Sequence, residues 1–139
     1  MQTVLLAVDQ SASAFEATLY VVKFIKKHGP LVVHVAHVQS APLPWQTQDK
    51  IQEAIEAHIS LESHTALLHD EQVSFKVHVR QGAAGETLVA IAEELGCDHI
   101  IMGSRGLGGL SGIALGSVTQ KILHLANVPV TCVPGHTLR

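Results

Sequence analysis

The sequence predicts an α/β protein: a doubly wound, five-stranded parallel sheet with helices on both faces. Three observations carry that prediction. Apolar runs of strand length alternate along the chain with segments of helical periodicity. Most of the runs are continuous rather than alternating in polarity, as expected of strands buried on both faces. The connections are short, which favours parallel strands joined by right-handed crossovers. With 139 residues, 47% of them hydrophobic and only three Phe, one Tyr and one Trp, residues 1–139 have the size and composition of a single domain that closes its own core.

The elements follow in order. Residues 3–8 (TVLLAV) form the first strand. Ser13 and Glu16 have capping-box spacing, and Phe15, Leu19, Val22 and Ile25 recur at helical intervals until Gly29 and Pro30 end the pattern. Residues 31–38 (LVVHVAHV) form the second strand. A proline-rich loop with Trp45 leads to a helix over 49–70, with Ile51, Ile55 and Ile59 on one stripe. The loop tryptophan is placed to cover a pocket, meet a partner or pack on its own domain. Val73, Phe75, Val77 and Val79 alternate with polar neighbours, which predicts a half-exposed third strand near a sheet edge. The third helix carries Leu88, Ile91 and Leu95 on one face and stops at Gly96, a favourable left-handed cap. Residues 98–102 are the fourth strand. A glycine-rich segment then precedes a fourth helix over 117–126, with Val118, Ile122 and Leu125 facing inward and Asn127 and Pro129 ending it. Residues 128–133 (VPVTCV) are the fifth strand.

Composition excludes several functions. The net charge is −3 and the nine basic residues are scattered singly, so no basic stripe follows a nucleic acid or an anionic membrane. The apolar run over 4–8 is too short for a signal-peptide core and lacks a basic flank, so a cytoplasmic location is expected. Cys97 and Cys132 stand in apolar surroundings and read as buried thiols. Ten histidines invite a metal reading. However, His34 and His37 point to opposite faces of a strand, and His58 with Glu62 supplies only two ligands. These side chains are expected to be solvated or hydrogen-bonded.

Ligands of such sheets gather outside the carboxyl ends of the strands, where strand order reverses; Asp9, Val38 and Gly103 stand at such ends. The stretch GSRGLGGLSGIALGSVT begins there and holds six glycines over residues 103–116. Glycine lets the backbone approach a ligand closely, so successive N–H groups converge on an anion. Ser117 opens the helix that follows, where unpaired N–H groups and the positive dipole end meet negative charge, and the hydroxyls of Ser117 and Thr119 offer further donors. This is a phosphate site in outline. It is not a P-loop, because Gly103 and Gly108 are followed by Gly109 and Leu110 where Lys and Ser or Thr belong. Gly106, Gly108 and Gly112 give a loosened dinucleotide fingerprint, but after the fourth strand and with no acidic strand end following it.

The spacing Gly103, two residues, Gly106, nine residues, Gly116, Ser117 resembles the signature of the ATP-binding universal stress proteins. VLLAVDQSASAFEA and DHIIMGSRGLGGLSGIALGSVTQKIL extend the resemblance over the whole chain. It implies a Rossmann-like fold of the adenine nucleotide α-hydrolase type, and ATP, or AMP or ADP, as ligand, with magnesium. By that resemblance Asp9 lies near the ribose and the magnesium, where a carboxylate accepts from hydroxyls and ligates a hard cation. Ala7 lies under the base, Val38 meets adenine and Met102 closes its other side. Gly103, Arg105, Gly106, Gly116, Ser117, Val118 and Thr119 match the phosphate positions. Gln10 departs from the family, many of whose members have Gly after the aspartate. Members commonly pair through the last strand, and residues 128–133 have the β-branched composition for it, so a homodimer is implied.

The function expected is a nucleotide-dependent stress-response or signalling module whose occupancy alters residues 103–116. No base stands at an obvious location for phosphoryl transfer, so no catalytic residue is assigned. Two alternatives stay open: a hydrolase or phosphotransferase of the same fold with slow magnesium-dependent turnover at Asp9, and a dimeric interaction protein that binds no nucleotide.

Overall fold

The computed structural model describes residues 1–105 and 115–135. Along the chain run β1 (Thr3–Ala7), α1 (Ala12–His28), β2 (Val32–Gln39), α2 (Lys50–Asp70), β3 (Phe75–Gln81), α3 (Ala84–Glu94), β4 (His99–Gly103), α4 (Ser117–Leu125) and β5 (Val130–Val133). The strands form one sheet in the order β3-β2-β1-β4-β5, and every pairing is parallel. The predicted α/β class is therefore found. β3 is an edge strand, the position expected from its sequence, and its Val77 and Val79 are exposed.

Successive residues of a strand point to opposite faces, so the central strands feed two apolar layers. On one face Val4, Leu6, Val33, Val35 and Ile101 meet Ala17 and Val21 of α1 and Leu61 and Leu68 of α2. On the other, Leu5, Ala36, Ile100 and Met102 meet Leu88 and Ile91 of α3 and Ile122 of α4. Val4, Leu5 and Leu6 are wholly buried, which is why β1 reads as a continuous apolar run.

The helices depart from expectation in which stripe faces inward. The N-cap of α1 is Ser11, whose Oγ accepts the Ala14 N–H at 3.1 Å; Ser13 of the expected capping box is buried instead. Phe15 is exposed, and the inward line is Ala14, Ala17, Thr18, Val21 and Val22, small and β-branched residues that let α1 lie close to the sheet. Asp49 caps α2, accepting from Ile51 and Gln52 N–H at 3.0 and 3.1 Å. The isoleucine stripe, however, faces water: Ile51, Ile55 and Ile59 are 75%, 48% and 51% exposed. The buried line is Ala57, Ser60, Leu61, His64 and Leu68; the first turns of α2 bury no residue and so contribute nothing to the core. Trp45, before that end of α2, is 79% exposed. In α4, Ile122 and Thr119 are buried and Val118 half-buried, whereas Leu125 is exposed rather than inward. Gly96 follows α3 with φ of 65°, the left-handed value expected of it.

Candidate functional site

The chain winds from β1 outward to β3 on one side and then returns to lay β4 and β5 on the other. Strand order therefore reverses between β1 and β4, and a cleft opens there at their carboxyl ends. It encloses about 480 Å³ of atom-free space, part of it open to solvent. Of the residues marked from sequence, Ala7, Asp9, Val38, Met102, Gly103, Arg105, Val118 and Thr119 line it. Gly116 and Ser117 form the entry to α4 next to Val118 and Thr119. Gly106 lies outside the described residues, with most of the glycine-rich segment.

The β1 side is built from backbone turns. Val8 N–H continues the ladder to the Ala36 carbonyl at 2.9 Å, and the chain then turns into α1. Asp9 Oδ1 accepts the Ser11 N–H at 2.7 Å, a turn that holds its carboxylate at the start of the helix. No acidic residue stands in the first turn of α1, so Asp9 is the negative charge set against that dipole end. Gln10 reaches away, its amide donating to Ser60 Oγ at 3.4 Å, and leaves the turn intact.

On the β4 side α1 presses against the strand end. A Cβ on Gly103 would lie 2.2 Å from Ser13 Oγ and 2.6 Å from the Ser13 carbonyl carbon, so only glycine fits. Ser13 Oγ donates to the Arg105 carbonyl and accepts the Arg105 N–H at 3.2 Å. This ties the start of the glycine-rich segment to α1. Thr119 corrects an expectation: its hydroxyl is buried and donates to the Gly103 carbonyl at 3.0 Å. It is therefore committed to joining α4 to β4, which leaves the exposed Ser117 hydroxyl for a ligand. Gly116, the N-cap of α4, brings no side chain to the first-turn N–H groups, and no acid stands in that turn. A helix start of this kind has donors without intrahelical acceptors and a positive end that no acid of its own first turn offsets.

The model of the universal stress protein family matches residues 1–134. This chain belongs to that family. A universal stress protein of Synechocystis, Sll1654, is 29% identical over 134 residues, covering 96% of this chain and 85% of its own. The solved structure of MJ0577 from Methanocaldococcus jannaschii superposes with a TM-score of 0.78 at 31% identity, covering 96% of this chain and 95% of that one. A universal stress protein of Archaeoglobus fulgidus, solved in complex with dAMP, has a TM-score of 0.70 at 26% identity over 96% of this chain and 97% of its own.

In this universal stress protein five of the described histidines, His34, His37, His64, His78 and His99, make hydrogen bonds. His34 Nδ1 lies 2.9 Å from His78 Nε2 on the neighbouring strand, and His58 makes an exposed 3.8 Å contact with Glu62. Among the described residues no three His, Cys, Asp or Glu are gathered to hold a metal. Both cysteines are free thiols; Cys97 is buried as expected, whereas Cys132 on the edge strand β5 is only half-buried, and burial pushes both above their usual range. No described helix is long and apolar enough to cross a membrane. Two histidines that sequence did not assign to the site support the strand end that carries Asp9. His37 lines the cleft and its Nδ1 donates to the Val8 carbonyl at 3.0 Å. His64, 1% exposed, reaches from α2 to the Asp9 carbonyl at 2.7 Å. Burial holds the His64 imidazole below its ordinary range, against the Asp9 carbonyl and carboxylate, which favour its charged form. The i, i+3, i+4 line through Ala57, Ser60, Leu61 and Leu68 is the one sequence signal for His64, and the competing isoleucine stripe hides it.

Proposed function

We propose that this protein is an ATP-binding universal stress protein, a nucleotide-dependent stress-response or signalling module acting in the cytoplasm as the single domain 1–139. One observation carries the reading: the N-terminus of α4, whose N-cap Gly116 brings no side chain and whose first turn carries no acid, opens beside a cleft that Asp9 also lines. That arrangement offers donors to phosphates at one end and an acceptor to a ribose at the other. The dAMP bound by the Archaeoglobus relative supports adenine nucleotide as the ligand class.

In this reading Ala7 and Met102 flank the adenine and Val38 meets its edge. Gly103, Arg105, Gly106, Gly116, Ser117, Val118 and Thr119 surround the phosphates, Thr119 through its backbone N–H. Asp9 is the acid among the described lining residues. Magnesium commonly takes one carboxylate and completes its shell with phosphates and water, so Asp9 fits as its protein ligand when ATP is in place. β5 is an edge strand, paired to β4 on one side, and residues 128–133 offer its other side to a second copy.

Calorimetry with ATP, ADP and AMP, with and without magnesium, tests the reading. ATP is expected to bind, and Gly116→Leu to weaken it by more than about tenfold, a loss of about 1.4 kcal/mol. No heat and no thermal shift at millimolar ATP would overturn it.

A further inference from the structure

His64 belongs to α2, from which none of the residues assigned to the nucleotide comes, yet it grips the turn that carries Asp9. Its Nε2 lies 2.7 Å from the Asp9 carbonyl oxygen. A carbonyl only accepts, so Nε2 bears a hydrogen and donates. Its Nδ1 lies 2.8 Å from Thr18 Oγ1, which itself lies 3.2 Å from the Ala14 carbonyl. A hydroxyl has one hydrogen; with a neutral ring Thr18 gives it to Nδ1, since the Ala14 carbonyl already accepts within the helix. Both ring nitrogens are then satisfied inside the protein, at a residue 1% exposed.

The neighbouring carbonyl is held in the same way. His37, from β2, donates through Nδ1 to the Val8 carbonyl at 3.0 Å. Two successive peptide planes are thus pinned by imidazoles from two different elements. The peptide planes on either side of Asp9 set its φ and ψ, and its carboxylate is then locked by the 2.7 Å bond from the Ser11 N–H. Van der Waals packing of α2 against α1 requires none of this; Leu61 and Leu68 serve that purpose.

We propose that His64 is a positioning residue for nucleotide binding: by donating from Nε2 to the Asp9 carbonyl, which fixes its tautomer, while the Thr18 hydroxyl satisfies Nδ1, it aims the Asp9 carboxylate at the bound nucleotide. The inference rests on the cleft being the nucleotide site, and makes α2 a structural arm of that site.

The test uses the full chain and needs no substitution for its first arm. Nitrogen-15 shifts of the His64 ring at neutral pH should show a protonated Nε2 and a bare Nδ1; the opposite tautomer overturns the proposal. In the second arm, exchange of the Ser11 amide, which reports the bond to Asp9, is followed in His64→Met and His64→Gln. The Met variant keeps volume without a donor and should speed exchange by about tenfold relative to the Cys97 amide, whereas Gln retains a donor and should restore protection. Unchanged Ser11 protection in the Met variant overturns positioning. In the third, ATP affinity is measured for His64→Met, Asp9→Asn and the double variant. His64→Met should weaken ATP by about tenfold in the parent and have little further effect in the Asp9→Asn background. Equal losses in both backgrounds mean a merely structural residue and overturn the proposal. A parent chain that binds no ATP while Ser11 protection still falls overturns the nucleotide reading instead, and the two failures are told apart.

Discussion

At the scale of single residues the cleft is decided by two contacts of Gly103. Its missing side chain admits α1, and its carbonyl receives the Thr119 hydroxyl. Gly103→Ala would force a carbon into the backbone of Ser13 and is expected to cost about 1–3 kcal/mol of stability by denaturant unfolding; an unchanged midpoint would contradict the close approach. Thr119→Val removes a buried donor from a carbonyl and should cost about 1–3 kcal/mol. Ser117→Ala, at an exposed position, should leave stability within about 0.5 kcal/mol while weakening ATP. If Thr119→Val were neutral for stability, the assignment of its hydroxyl to the protein would fail. Sequence could single out Asp9, Gly116 and Ser117 because their chemistry is local: an acid closing a strand, a glycine and a hydroxyl opening a helix. The Thr119 hydroxyl was misassigned because its acceptor is sixteen residues away and is set by how α4 docks on β4.

At the scale of elements α2 is where sequence and structure part. Periodicity marked Ile51, Ile55 and Ile59, yet the helix buries the line through Leu61, His64 and Leu68. Periodicity reports that a helix has apolar residues at i and i+4; it does not report which of two stripes the sheet lies under. The consequence is measurable by thermal or urea unfolding. Ile55→Gln should shift stability by no more than about 0.5 kcal/mol, whereas Leu68→Ala should cost about 2–5 kcal/mol. A large loss at Ile55 would mean that the stripe is covered. α3 shows the opposite case, since Leu88, Ile91 and the cap at Gly96 are all where periodicity and glycine chemistry placed them.

At the scale of the whole molecule the histidines set the response to acid. His34, His64, His78 and His99 are each held below the free value of 6.5, with burial as the first cause. At His34 the neighbouring His78 adds repulsion. His99 is bonded through Nε2 to Thr131 Oγ1 at 2.6 Å. The unfolded chain binds protons at these four groups more readily than the folded one. Their contribution is therefore fully present above about pH 6.5 and is lost as pH falls through the depressed folded values. Asp98, held below 3.8 by the Thr3 and Gln2 N–H groups, adds a second loss at still lower pH. The melting temperature should thus fall steadily below pH 6.5; a flat profile from pH 7.5 to pH 5 would refute this. Replacing His34 and His78 together by Gln should reduce that early slope.

The sequence alone determined the α/β class, the order of nine elements, the edge character of β3 and the glycine spacing of the family. Each depends on hydrophobic period, backbone chemistry or spacing within a short stretch of chain. Only the tertiary structure decided the order β3-β2-β1-β4-β5, the inward stripes of α1, α2 and α4, and the grip of His64 on Asp9 across 55 residues. These depend on which surfaces meet once the sheet has assembled. Contacts between distant residues are specified jointly by packing, so a local pattern names the candidates and the assembled core selects among them.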